Sequence, residues 1–172
     1  MPSRGAHMND AWKALADDFT DLPDAAAVTR LVLRLALAAL LGGVLGYERE
    51  TRGKRAGVRT HMLIAVGAAL FALVPQQAGM SDDAVSRVLQ GLVAGIGFLG
   101  AGPILKLEER MEVKGLTTAA SIWVAAAVGV AVGLGRGATA VLATGLALAI
   151  LAAMPRWDRE EGREPKPERV RV

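Results

Sequence analysis

No cysteine occurs among the 172 residues, so neither a disulfide framework nor a thiolate metal site can form, and zinc held by cysteine is excluded. Compartment therefore cannot be read from redox chemistry. Acid is missing where cation chemistry would need it, because none of the long apolar stretches carries an Asp or Glu in its middle. A divalent cation wants several oxygen ligands, carboxylates among them, so neither a metal site nor a cofactor is expected. Residues 1–8 lack the apolar run of a cleavable signal peptide, and "GAHM" at residues 5–8 resembles a cloning remnant.

What is abundant is hydrophobicity. Apolar residues make up 52% of the chain and mean hydropathy is +0.35, high for a soluble domain of this size. Charge is confined to short blocks between long Ala, Leu, Val and Gly runs, the segregation a bilayer imposes. Five spans are predicted, over residues 31–47, 62–79, 88–105, 116–134 and 137–154. At about 1.5 Å per residue, each comes close to a hydrocarbon thickness of about 30 Å. The expected fold is an all-α integral membrane bundle of five transmembrane helices. Residues 1–28 form an extracytoplasmic segment, residues 29–154 the membrane domain and residues 155–172 a charged cytoplasmic tail.

The positive charges orient this scheme. Fourteen Lys and Arg lie in the loop after span 1, the loop after span 3 and the C-terminal tail, while residues 79–86 have none and the turn between spans 4 and 5 has only Arg136. Positive residues are retained on the cytoplasmic side, so the N-terminus is expected outside and the C-terminus inside. Before span 1, Trp12, Leu15, Ala16 and Phe19 follow a helical period, consistent with a short amphipathic helix on the outer membrane face. Asp21 to Asp24, with Pro23 between them, read as a helix start.

Gly95, Gly97 and Gly100 satisfy G-x-G-x-x-G within "VAGIGFLGAGPIL". A dinucleotide loop would need an amphipathic helix after it and an acidic residue about twenty positions on. Here the chain breaks at Pro103, and twenty positions beyond Gly97 stands Thr117. No nucleotide or nucleic-acid partner is expected. In hydrocarbon, small residues let backbones pack, and Gly42 with Gly46, Gly91 with Gly95, and Gly129 with Gly133 all form G-x-x-x-G pairs. Gly95, Gly97, Gly100, Gly102 and Pro103 together exceed what packing needs, and predict a broken or kinked third span lining a cavity.

Arg34 lies inside span 1, where exposure to lipid costs about 2.5 to 3.5 kcal/mol or more, so it is either functional or satisfied by snorkelling or by Asp82 or Asp83. At the other end, Glu48 and Arg49 close span 1 and Arg59, Thr60 and His61 open span 2. A solvated loop drawn to lipid headgroups would account for these residues, but acid and base at both helix ends favour a defined polar cluster. Gly115, Thr117 and Thr118 open span 4. Ser121 and His61 are the only intramembrane nucleophile and base to hand, and no acid is placed to orient the histidine, so an enzyme is not expected.

Four blocks, "LGGVLGYERE", "AGVRTHMLIAVGAALF", "GIGFLGAGPIL" and "GLTTAASIWVAAAVG", in this order and spacing, resemble the membrane domain of the MgtC/SapB family over about residues 34–134. The resemblance marks Arg34, Glu48, Arg49, Gly57, Arg59, Thr60, His61, Gly97, Gly100, Gly102, Gly115, Thr117 and Thr118. It implies a multi-pass protein of the bacterial inner membrane, linked to growth at low magnesium and, in pathogens, to survival in macrophages. For some members it implies inhibition of the F-type ATP synthase, which becomes a candidate partner beside the bilayer and a homo-oligomer. MgtC-type members carry a soluble domain after the last span, whereas residues 155–172 are too poor in apolar residues to build a core, so a short form is expected. The leading functional expectation is a non-enzymatic protein acting through helix contacts with membrane partners. The alternative is a transporter or channel with its site at the broken third span and the start of the fourth.

Overall fold

The computed structural model describes residues 12–13, 24–107 and 112–153. The expected amphipathic helix before span 1, apart from Trp12 and Lys13, and the C-terminal tail fall outside them. Five helices run through the described chain: α1 (Ala25–Thr51), α2 (Val58–Gln77), α3 (Asp82–Ala101), α4 (Leu116–Gly133) and α5 (Gly137–Ala153). The first four are long and apolar enough to cross a membrane, and α5, of 17 residues, is an apolar helix slightly shorter than these. The fold is an all-helical integral membrane bundle.

Between α3 and α4 the chain adds a small antiparallel hairpin, β1 (Leu105–Leu107) and β2 (Glu112–Lys114), with Leu105 opposite Lys114. The charge-rich loop expected here pairs its own backbone instead. Gly115 closes the hairpin with φ +98°, a left-handed conformation that a side chain adopts only under strain, and a Cβ there would also run into the Pro103 carbonyl.

Local chemistry sets the ends. Asp24 is the N-cap of α1, its carboxylate accepting from the Ala27 N–H at 2.6 Å, so the helix starts where "DLPD" pointed. Asp24→Ala should lower stability by about 1 kcal/mol, the usual cost of an N-cap, measured by equilibrium unfolding in mixed detergent micelles. Ser81 caps α3, and Asp82 and Asp83 in its first turn face the positive end of the helix dipole.

Gly95, Gly97 and Gly100 do not interrupt the third span, which leaves the helix only at Gly102 and Pro103. It is one helix from Asp82 to Ala101, beginning six residues before the apolar stretch, and Gly91, Gly95 and Gly97 lie within it. In hydrocarbon no water competes for the backbone groups, so the helical hydrogen bonds persist through glycines that would weaken a helix in water. The helix stops where Pro103 has no N–H to give the Leu99 carbonyl, and Gly102 N–H turns to that oxygen at 3.3 Å. Of the break expected over Gly95 to Pro103, the glycines at 95, 97 and 100 do not interrupt the helix, whereas at Gly102 and Pro103 the chain leaves it and lines a cavity.

α2 and α4 occupy the centre. The buried positions of α1, namely Ala38, Leu41, Gly42, Leu45, Gly46 and Arg49, fall on one face, whereas α4 buries residues on several. One core cluster joins α1, α2, α4 and α5 through Leu41, Leu45, Ala65, Ala69, Val128, Val132 and Ala140. A second joins α2, α3 and α4 through Ala68, Ile96, Ile122 and Ala126. Most of these side chains are small, because the helices meet backbone to backbone. A Cβ on Gly42 would come within 2.6 Å of the His61 carbonyl oxygen, and one on Gly46 within 2.6 Å of Val58 Cα. On α4, Gly129 and Gly133 lie against the carbonyls of Ala65 and Ala69. Two of the three G-x-x-x-G pairs thus hold α2 against two different neighbours, α1 and α4. The third pair, Gly91 with Gly95, is open: a methyl group on either glycine would meet nothing within 4 Å.

Candidate functional site

The end of the bundle formed by the α1–α2 loop, the end of α3 and the start of α4 gathers most of the singled-out polar residues, in two separate places. The first is buried. Arg49 is 2% exposed, and its Nε is ion-paired with Glu48 Oε2. The other carboxylate oxygen, Oε1, lies 2.5 Å from Arg52 Nε, four residues on, though off the geometry of a hydrogen bond. One acid on the last turns of α1 thereby faces two guanidinium groups. Arg52 was not anticipated, although its i,i+4 spacing from Glu48 is the signal that would have found it.

His61 is fully buried one turn into α2. Its Nδ1 lies 3.0 Å from the Gly57 carbonyl oxygen, which can only accept, so Nδ1 carries the proton. Nε2 lies 3.0 Å from Ser121 Oγ on α4, whose hydroxyl also donates to the Thr118 carbonyl at 2.8 Å. The Ser121 proton is thus shared between a ring nitrogen and a carbonyl. The serine and histidine that composition offered as nucleophile and base do meet. They meet inside the bundle, with Ser121 4% exposed, as a bridge between α2 and α4.

Glu50 was also missed. Its Oε2 accepts from the Val58 N–H at 2.9 Å and caps α2 across the loop. Gly57 leaves the room, since a Cβ there would press on the Glu50 carboxylate. A cap contributed from eight residues upstream has no local sequence signature, unlike an N-cap side chain.

Arg59 and Thr60 point away from this network. Both are exposed and line a cavity of about 470 Å³ together with Arg55, Leu63, Leu99 and Pro103. Arg34 belongs to neither place. At the opposite end of the bundle, its Nη1 donates to the Gly133 carbonyl at 3.0 Å, capping the last turn of α4. That helix end, rather than Asp82 or Asp83, is the partner of the Arg34 guanidinium among the described residues.

The glycine-rich group divides as well. Gly100 packs on Ala119, Gly102 and Pro103 border the cavity, and Gly115 lies under the Pro103 carbonyl, so the end of α3 and the start of α4 are joined. Thr118 is buried beside Ser121, whereas Thr117 is exposed. Gly95 and Gly97 face outward. Among the described residues no group of three His, Asp or Glu could hold a metal ion.

The sequence profile of the MgtC family matches residues 35–160, most of the chain, including all of α2, α3, α4 and α5. The chain belongs to the MgtC family. Protein SrpB of Synechococcus elongatus is 45% identical over 140 residues, covering 75% of this chain and 77% of SrpB. Protein MgtC of Salmonella typhimurium is 46% identical over 113 residues, and Protein MgtC of Brucella abortus 47% over 120 residues. These alignments cover 66% and 70% of this chain, but only 47% and 49% of the MgtC proteins, so the chain spans about half their length. No solved structure matches. As a family member with four long apolar helices, the chain is a multi-pass membrane protein. The profile takes in the Glu48, Arg49 and His61 network and both walls of the arginine-lined cavity, while Arg34 stands one residue before its start.

Proposed function

We propose that this member of the MgtC family is a non-enzymatic protein of the bacterial inner membrane that supports adaptation to low magnesium or related stress by docking a helix of a membrane partner. The carrying observation is the outer face of α3. Gly91 and Gly95 repeat the spacing that elsewhere in the bundle is filled by α2, yet meet nothing of their own chain, and Phe98 beside them is 82% exposed. A partner helix, from a second copy or from a complex such as the F-type ATP synthase, would approach there as α1 and α4 approach α2. The basic loops support an orientation with α1 entering from outside and the hairpin in the cytoplasm.

Gly95→Leu tests the reading. A Cβ at Gly95 meets nothing of the chain within 4 Å and the residue is exposed, so the variant should keep wild-type stability in detergent. In a strain deleted for the protein and grown at low magnesium, wild type should restore growth and Gly95→Leu should not, at equal membrane levels. Magnesium flux through purified protein in liposomes would overturn the proposal, and so would full restoration by Gly95→Leu.

A further inference from the structure

The cavity at the start of α2 has a chemistry that the partner contact leaves unused. Arg55 and Arg59 stand at its mouth with Thr60, and among the described residues neither arginine is ion-paired. Glu48 and Glu50, the acids nearest in sequence, are committed to Arg49, Arg52 and the Val58 N–H. Below the mouth the lining turns apolar. Leu63 is one turn beyond Arg59, about 6 Å further along α2, and Leu99 closes the other side from α3. Leu63 is 73% exposed and Leu99 53%, so the apolar wall opens sideways between α2 and α3 rather than into a sealed core. The volume of about 470 Å³ falls in the range of small-molecule sites, about 300 to 1,000 Å³.

We infer that this cavity is a binding site for one anionic phospholipid, with the phosphate between Arg55 and Arg59 and an acyl chain along Leu63 and Leu99. Two neighbouring guanidinium groups match a phosphate through charge and forked hydrogen bonds. Arg59 opens a membrane-spanning helix and Arg55 lies in the loop just before it, the depth at which headgroups lie, and Leu63 lies one turn deeper, where chains begin. Inorganic phosphate would use the arginines alone and leave that wall without a partner. The site does not depend on the docking face of α3, because Gly91 and Gly95 are absent from its lining.

Native mass spectrometry of the full chain, released from nanodiscs of equal phosphatidylglycerol and phosphatidylcholine, tests this directly. Wild type should retain one phosphatidylglycerol. Arg55→Gln and Arg59→Gln should each weaken retention about fivefold, and the pair about twenty-five-fold, from roughly one favourable contact energy per basic residue near an anionic group. Arg136→Gln, at the far end, should leave it unchanged. Both arginines are exposed, so the variants should fold, which their unfolding midpoints verify. Equal retention of phosphatidylcholine, undiminished retention by the double variant, or displacement of the lipid by millimolar inorganic phosphate would overturn the inference. Loss of retention in a variant that still restores growth would separate this site from the α3 contact.

Discussion

Gly129→Ala should unfold the bundle at markedly lower denaturant than wild type, a loss of about 3 kcal/mol or more. The added methyl would overlap the Ala65 carbonyl oxygen and crowd Ala65 Cα, at 2.9 Å, so both central helices must separate. Overpacking of a dense core costs about 1 to 3 kcal/mol where side chains can yield, and more where only backbone is available to move. Backbone is what stands there. The contact joins α2 to α4, the two helices against which the others pack, so relief in one place strains another. Gly91→Ala is the matched control. It adds the same methyl at the same spacing with nothing within 4 Å, and should leave stability unchanged or raise it by up to about 1 kcal/mol, the helical gain of alanine over glycine. Equilibrium unfolding of the two variants in mixed micelles measures the difference, and equal midpoints would refute close α2–α4 packing.

Glu48→Ala should be comparably severe, by about 3 to 5 kcal/mol, for an electrostatic reason. Arg49 is 2% exposed and Glu48 is its only ion-pair partner among the described residues. Removing the carboxylate strands a buried cation, and breaking a buried pair from one side costs about that much. The double variant Glu48→Ala, Arg49→Met should recover most of the loss, because a buried pair exchanged for apolar groups of similar size is often close to neutral. A Glu48→Ala protein as stable as wild type, in the same unfolding measurement, would mean that Arg49 is satisfied by lipid or water instead.

These two variants mark where a linear reading stops. "DLPD" announced the start of α1 because an N-cap is local: Asp24 meets an N–H three residues on. The end of α3 was written in Pro103 for the same reason, a missing donor within its own turn. The expected break was right at Gly102 and Pro103 and wrong at Gly95, Gly97 and Gly100, because where no water competes for the backbone the helical hydrogen bonds outweigh glycine's entropic cost. His61 and Ser121, 60 residues apart, could be named separately as polar residues inside apolar stretches, but not as one bridge. Arg34 was recognised as a charge in the wrong solvent, while its partner, the Gly133 carbonyl 99 residues away, is a backbone atom that no side-chain pattern encodes.

The same limit applies to the three glycine pairs. By itself the amino-acid sequence determined the apolar rods, their approximate number and the local cap at Asp24, because each depends on residues within a few positions and on the choice between water and lipid. Only the tertiary structure decided which pairs are spent inside the bundle, on Ala65 and Ala69 and on His61 and Val58, and which one is left facing outward. Identical spacing carries no record of its neighbour, and the backbone carbonyls that fill or fail to fill a glycine notch belong to whichever helix the chain brings alongside.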